Sequence, residues 1–143
     1  MGWNINCYKC GENTSYAQNI VDLIDNHTDS SFSNGGFIKC SYCGSKAYIH
    51  EPRKLQEGGK WDRHILAVIR VASSEGFGFL KHYAYLSSNT KNGEIDGVEI
   101  SYYKDLRKEK GRLKHGHGPG GPASLTKIEF LSFLRELSKI GWQ

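Results

Sequence analysis

The residues with the clearest chemistry are four cysteines, which are the chain's whole complement and fall into two matching elements, Cys7-Tyr-Lys-Cys10-Gly and Cys40-Ser-Tyr-Cys43-Gly. In a Cys-x-x-Cys-Gly knuckle the tight turn aims both thiolates at one ion, backbone amides around the turn face the sulfurs, and glycine relieves the steric cost of closing it. Two knuckles complete a tetrahedral four-sulfur shell. Such a shell leaves no coordination position for water, so it points to a folding staple and away from metal hydrolysis. One structural Zn2+ per chain, on Cys7, Cys10, Cys40 and Cys43, is the expected occupant, with iron or an iron cluster as the alternative. Two disulfides would need an oxidising compartment, and a thioredoxin-like redox motif is expected once, beside a strand-helix-strand unit.

The paired Cys-x-x-Cys-Gly elements make the part of the chain from Asn4 to Pro52 resemble a zinc ribbon, a superfamily in which two cysteine knuckles on short hairpins clamp one zinc. The resemblance implies a metal and leaves the function open, because zinc ribbons occur in nucleic-acid-binding proteins, enzyme accessory modules and protein adaptors. The chain departs from a compact ribbon by placing 29 residues between Cys10 and Cys40, where roughly 15 to 20 are usual.

The second concentration of chemistry is a charged run. The chain carries 19 Lys and Arg against 15 Asp and Glu, and the excess sits in one place. Lys104 to His117 holds Lys104, Arg107, Lys108, Lys110, Arg112 and Lys114 against Asp105 and Glu109, with His115 and His117 alongside. A tethered anion partner can exploit that balance. The segment continues as Gly116-His117-Gly118-Pro119-Gly120-Gly121-Pro122, where glycines would let backbone amides approach a phosphate. It lacks the Gly-Lys-Ser/Thr ending of a P-loop, which argues against nucleotide hydrolysis. His115 and His117 are spaced to act together as metal ligands or acid-base groups, but no carboxylate or third histidine is tied to them by spacing. The plain alternative is a surface loop. Some HNH nucleases also carry paired knuckles, yet between these pairs only Asn26-His27 is found, without the surrounding Asp-His signature. No ligand set for two-metal hydrolysis stands out, so no catalytic residue is assigned.

Elements to position these groups can be read locally. Ser15 and Gln18 have capping-box spacing ahead of Tyr16, Ile20, Leu23 and Ile24, which predicts a helix from about Tyr16 to Asn26 inserted between the knuckles. Phe37-Ile38-Lys39 and Ala47-Tyr48-Ile49-His50 read as strands entering and leaving the second knuckle. Glu51 to Lys60, with Pro52, Gly58 and Gly59, reads as a connection, so the chain divides into a zinc ribbon with its inserted helix at 1–59 and a second part at 60–143. There, Ile65 to Val71 and Phe77 to Leu86 read as paired strands with a turn at Ser73 to Gly76. Asn92-Gly93 or Asp96-Gly97 signals another hairpin, returning as Val98 to Tyr103. The basic, glycine-rich segment at 104–122 is expected to be a loop. Thr126 and Glu129 form a second capping box, opening a helix whose Ile128, Phe130, Leu131, Phe133, Leu134, Leu137 and Ile140 present a broad apolar face opposite Glu129, Ser132, Arg135, Glu136 and Lys139, with Gly141 to end it. His27, His50, His64 and His82 are scattered singly and read as structural or surface residues. Tyr83, Tyr85, Tyr102 and Tyr103 read mainly as core, with base stacking as the alternative.

The expected fold is therefore α+β: a zinc ribbon with an inserted helix, then an antiparallel β-sheet domain closed by a C-terminal α-helix. Its 143 residues, 38% hydrophobic and 24% charged, suit a packed core and exclude a barrel enzyme. No run approaches the roughly 20 apolar residues of a membrane span, and none near Met1 resembles a signal peptide, so a cytoplasmic protein without a membrane partner is expected. The leading functional expectation is a zinc-binding accessory factor that contacts nucleic acid through Lys104 to His117. The alternative is a protein-protein adaptor or regulatory subunit that docks on a partner or forms a homodimer. A small enzyme using the His115-Gly116-His117 loop comes third.

Overall fold

The computed structural model describes residues 2–54, 60–71, 80–88, 94–106, 112–115 and 125–142. The expected turns at Ser73 to Gly76 and Asn92-Gly93 lie outside them, as do Arg107, Lys108, Lys110 and His117. Chain order gives β1 (Trp3–Cys7), β2 (Gly11–Ala17), α1 (Ile20–Asn26), β3 (Gly35–Phe37), β4 (Ala47–Lys54), β5 (Lys60–Arg70), β6 (Leu80–Ser88), β7 (Gly97–Leu106), β8 (Arg112–His115) and α2 (Lys127–Ser138). The architecture is α+β, with an antiparallel sheet in the order β2-β1-β4-β5-β6-β7-β8. Strand β5 takes β4 along its first half, through Ile49 opposite Ile65, and β3 along its second, through Gly36 opposite Val68. No helix among the described residues is long and apolar enough to cross a membrane.

The branched run Ile65 to Val71 lies at the centre because it is apolar on both faces, as a strand covered on both sides must be. A bulge between Ile65 and Ala67 switches the side each residue faces. As a result Ile65 and Val68 join Ile5, Ile20, Leu23, Ile49, Tyr83 and Tyr85 in one buried cluster. Ala67, Ile69 and Val71 join Phe32, Leu86, Phe133 and Leu137 in another. The first is covered by α1 and the cysteine knuckles, the second by α2. Tyr83 and Tyr85 are core residues, as their alternation predicts.

The connection expected at Glu51 to Lys60 is strand at both ends, β4 running to Lys54 and β5 starting at Lys60, and three further local readings change. The helix expected from Tyr16 begins later: β2 runs to Ala17, with Tyr16 paired to Asn4, and α1 starts at Ile20. Its cap is Asn19, whose side chain accepts from the Asp22 amide at 2.9 Å. Asn19 and Asp22 carry the same three-residue cap spacing as Ser15 and Gln18, and the strand pairing of Tyr16 with β1 decides between them. The second change concerns the segment read as a loop at 104–122. Its described part is a hairpin, β7 to β8, with Lys104 opposite Lys114 and Leu106 opposite Arg112.

The third concerns α2. Its start is as predicted, with Glu129 N–H donating to Thr126 Oγ1 at 3.1 Å and Thr126 N–H to Glu129 Oε1 at 2.9 Å. Its end is also as predicted, Gly141 taking φ 85° as the helix closes. Its orientation is not. Glu129, Phe133 and Leu137 face the sheet, while Ile128, Phe130, Leu131 and Leu134 are exposed, Leu134 to 42% and Ile128 to 75%.

Candidate functional site

Hairpin β1-β2 carries the first knuckle at its turn, the second lies between β3 and β4, and the pairing of Cys7 with Ala47 across β1 and β4 brings them together. Cys7 and Cys40 end up buried because each falls on an inward position of its strand or turn; Cys10 and Cys43 are exposed. The four Sγ atoms lie within 4.8 Å of one another. Cys43 Sγ is 3.5 Å from Cys7 Sγ and 3.4 Å from Cys10 Sγ. An ion with four sulfurs at about 2.3 Å spaces them about 3.8 Å apart, within the 4.8 Å that encloses this cluster. A cluster of several irons holds its cysteines farther apart. The four side chains can hold one metal ion.

Backbone donors prepare the sulfurs for charge. Lys9 and Cys10 N–H point at Cys7 Sγ at 3.4 and 3.2 Å, and Tyr42 N–H at Cys40 Sγ at 3.4 Å. Gly11 at φ 104° and Gly44 at φ 73° close the two turns, a backbone region that side chains with a Cβ rarely enter. The Ser45 hydroxyl, then its amide, then Cys10 pull the Cys43 thiol down to about 6. The Cys43 and Tyr42 amides lower Cys40 against the opposing effect of burial. Cys10, hydrogen-bonded to Cys43 and Cys7, is pushed up to about 12. Four crowded sulfurs do not accumulate four negative charges by themselves, and a cation among them supplies what the last proton otherwise supplies.

Helix α1 anchors the second knuckle. His27, its buried C-terminal cap, has Nδ1 3.0 Å from Ser41 Oγ, and its carbonyl accepts from Lys39 N–H at 3.0 Å. Asp22 lies 3.8 Å from His27 Nε2 and is held below its ordinary range first by the Gln18 amide and then by Asn26. His27 is therefore structural.

The first knuckle is tied to the sheet by rings. Tyr8, between Cys7 and Cys10, shares a hydrogen bond of 2.9 Å between its hydroxyl and His64 Nδ1. Burial, then Tyr48, raises the Tyr8 hydroxyl to about 12, which keeps it protonated. Tyr48 stacks on His64 with centroids 3.9 Å apart, Tyr8 lies over Tyr48 at 4.4 Å, and His50 meets His64 edge-on at 5.8 Å. His50 and His64 are direct cross-strand partners on β4 and β5.

No family model, curated protein or solved structure matches the chain.

Of the residues singled out by sequence, Cys7, Cys10, Cys40 and Cys43 converge. Lys104 lies on β7, and Arg112, Lys114 and His115 on β8, with Tyr103 opposite His115. The ring group of Tyr8, Tyr48, His50 and His64 was not found as a unit. Ala47-Tyr48-Ile49-His50 does show the two-residue period that sends Tyr48 and His50 to the face opposite Ile49, but His64 joins them only through strand register.

Proposed function

We propose that the chain is a small zinc-binding protein of zinc-ribbon type, with an inserted helix, that acts as a nucleic-acid-binding or nucleic-acid-associated accessory factor. The observation that supports the zinc reading is the convergence of four sulfurs within 4.8 Å of one another. Zinc suits an all-thiolate tetrahedral shell with no open position and supplies folding energy rather than catalysis there. The nucleic-acid reading is supported by the basic excess within Lys104 to His117, part of which is the β7-β8 hairpin pairing Lys104 with Lys114. Phosphate contacts release counterions, so binding falls steeply with salt.

The test is binding of labelled DNA and RNA at several salt concentrations by the wild-type protein and by a variant with Arg107, Lys110, Arg112 and Lys114 changed to Ala. The expected result is weaker binding by the variant across all sequences and a flatter salt dependence. An unchanged slope removes the segment from the interface. One specific observation favours the second reading, a protein-protein adaptor: Ile128, Phe130, Leu131 and Leu134 form an exposed apolar stripe on α2. It predicts partner capture or self-association that persists at high salt.

A further inference from the structure

We infer that the outward face of β1, β4 and β5, beside the cysteine knuckles, is a nucleobase-binding surface for single-stranded nucleic acid. The inference deepens the nucleic-acid reading above and rests on it. Three observations carry it, none involving the basic hairpin.

The first is a cleft of about 300 Å³ at this face, lined by Trp3, Asn4, Asn6, Asn13 and His50 among others. Its polar groups are mainly neutral amides and an imidazole, the set that reads the donor and acceptor edges of unpaired bases. The second is that one of these amides is held in a fixed orientation. Asn6 Oδ1 accepts the Asn13 N–H at 2.6 Å, an arrangement set by the left-handed backbone of Asn13 at φ 58°. Asn6 keeps only 7% of its exposure, so its pinned amide fixes the wall of the cleft, and the exposed Asn4 and His50 are the groups a base meets. The third is the ring group continuous with the cleft through His50. Asn6 pairs with Tyr48 across β1 and β4, and His50 with His64 across β4 and β5, so amides and rings form one surface over three strands. His50 and Tyr8 are exposed, and Tyr48 and His64 half-buried. Rings braced by one another and by the Tyr8 hydroxyl offer π faces that stack on any base.

The charge pattern suits a strand more than a free base. Exposed Lys9 and Lys46 flank the ring group, with Lys46 carbonyl accepting Tyr8 N–H at 3.2 Å, which places basic side chains where a backbone leaving the rings would carry its phosphates. A duplex hides its base faces and edges from such a surface, so the preference is for single strands.

The experiment compares single strands of roughly 10 nucleotides, DNA and RNA, with the matching duplex, within the length such surfaces accept. The proteins are wild type, the basic-hairpin variant described above, and a cleft variant carrying Asn4→Ala, Tyr48→Leu and His50→Ala. Metal content and thermal unfolding show whether each protein is folded. The cleft variant should lose about 5- to 50-fold in affinity for single strands at every salt concentration, with the salt slope unchanged and duplex binding unaffected. If the cleft variant falls within twofold of wild type while the hairpin variant flattens the salt slope, this proposal is overturned and the hairpin reading stands. If only the cleft variant weakens binding, the hairpin reading falls and this one stands. Absence of single-strand binding by wild type at low salt overturns both.

Discussion

Glu129 Oε2 lies 4.0 Å from His82 Nδ1, with both side chains almost wholly buried between α2 and the sheet. The carboxylate has two tasks, since its other oxygen closes the capping box on Thr126. The contact lies on the side of α2 that also buries Phe133 and Leu137.

Burial lowers the His82 pKa below its ordinary 6.5, with Glu129 acting in the opposite direction. A histidine whose folded value is depressed takes up its proton more readily when unfolded. Its contribution to stability is therefore complete above about pH 6.5 and is lost as pH falls below that toward the folded value. Glu129→Gln keeps an oxygen for the Thr126 amide but removes the charge that favours protonated His82, so the folded value drops further. The variant should lose more stability than wild type between pH 6.5 and 5, with the two differing least at pH 8. Urea unfolding of both proteins at pH 8, 6.5 and 5 checks this, and acid loss of the metal, common to both, cancels in the difference. A gap that does not change with pH would show that Glu129 acts on the helix cap alone.

The same contact explains why α2 presents a different face from the one its periodicity suggests. With Phe133 and Leu137 buried and Leu134 exposed, Phe133→Ala should cost about 3 to 5 kcal/mol and Leu137→Ala about 2 to 5, against less than about 1 for Leu134→Ala. Denaturant midpoints of the three variants decide it, and a Leu134→Ala loss as large as that of Leu137→Ala would mean the exposed stripe is covered in solution.

What could be read in advance follows from how local each signal is. The knuckles, the branched run of β5 and the Thr126-Glu129 box are contained within a few residues, and the structure keeps all of them. The side that α2 turns to the sheet was not readable, because Ile128, Leu131 and Leu134 make one apolar side, Phe133 and Leu137 another, and a glutamate ordinarily counts as a solvent residue. Burial of Glu129 becomes intelligible only with His82 in place, 47 positions away. Ser15 and Gln18 imitated a helix start because cap chemistry is short and recurs at Asn19 and Asp22. The ring group of Tyr8, Tyr48 and His64 spans three segments and exists only through pairing register.

For the cysteine cluster, metal analysis should give one zinc per chain. A strong chelator should loosen the knuckles, because the four sulfurs within 4.8 Å then have only shared protons between them. Cys40→Ser removes a buried ligand and should release the metal and unfold the region of β1, β2 and α1 first, seen as loss of amide protection there. Retention of a full zinc complement by Cys40→Ser would show that the ion is held elsewhere.

The last prediction concerns Arg63, which is 2% exposed, with its guanidinium 3.0 Å from Glu51 Oε2 and 2.6 Å from Glu99 Oε2. The two sides of this group differ in solvation, since the carboxylate side chains keep 26% and 33% of their exposure while the arginine keeps almost none. Removing the cation leaves two carboxylates that water still reaches. Removing both carboxylate charges leaves a buried guanidinium without the two anions that offset its lost hydration, the costlier error. Arg63→Met, which retains the packing of the stem, should therefore cost about 1 to 2 kcal/mol, and the double change Glu51→Gln with Glu99→Gln about 3 to 5. Either single Gln variant should fall between wild type and the double, because one carboxylate still faces the arginine. Chemical denaturation at pH 7 ranks the four variants against wild type, and a greater loss for Arg63→Met than for the double variant would mean that the packing of the arginine stem matters more than its charge.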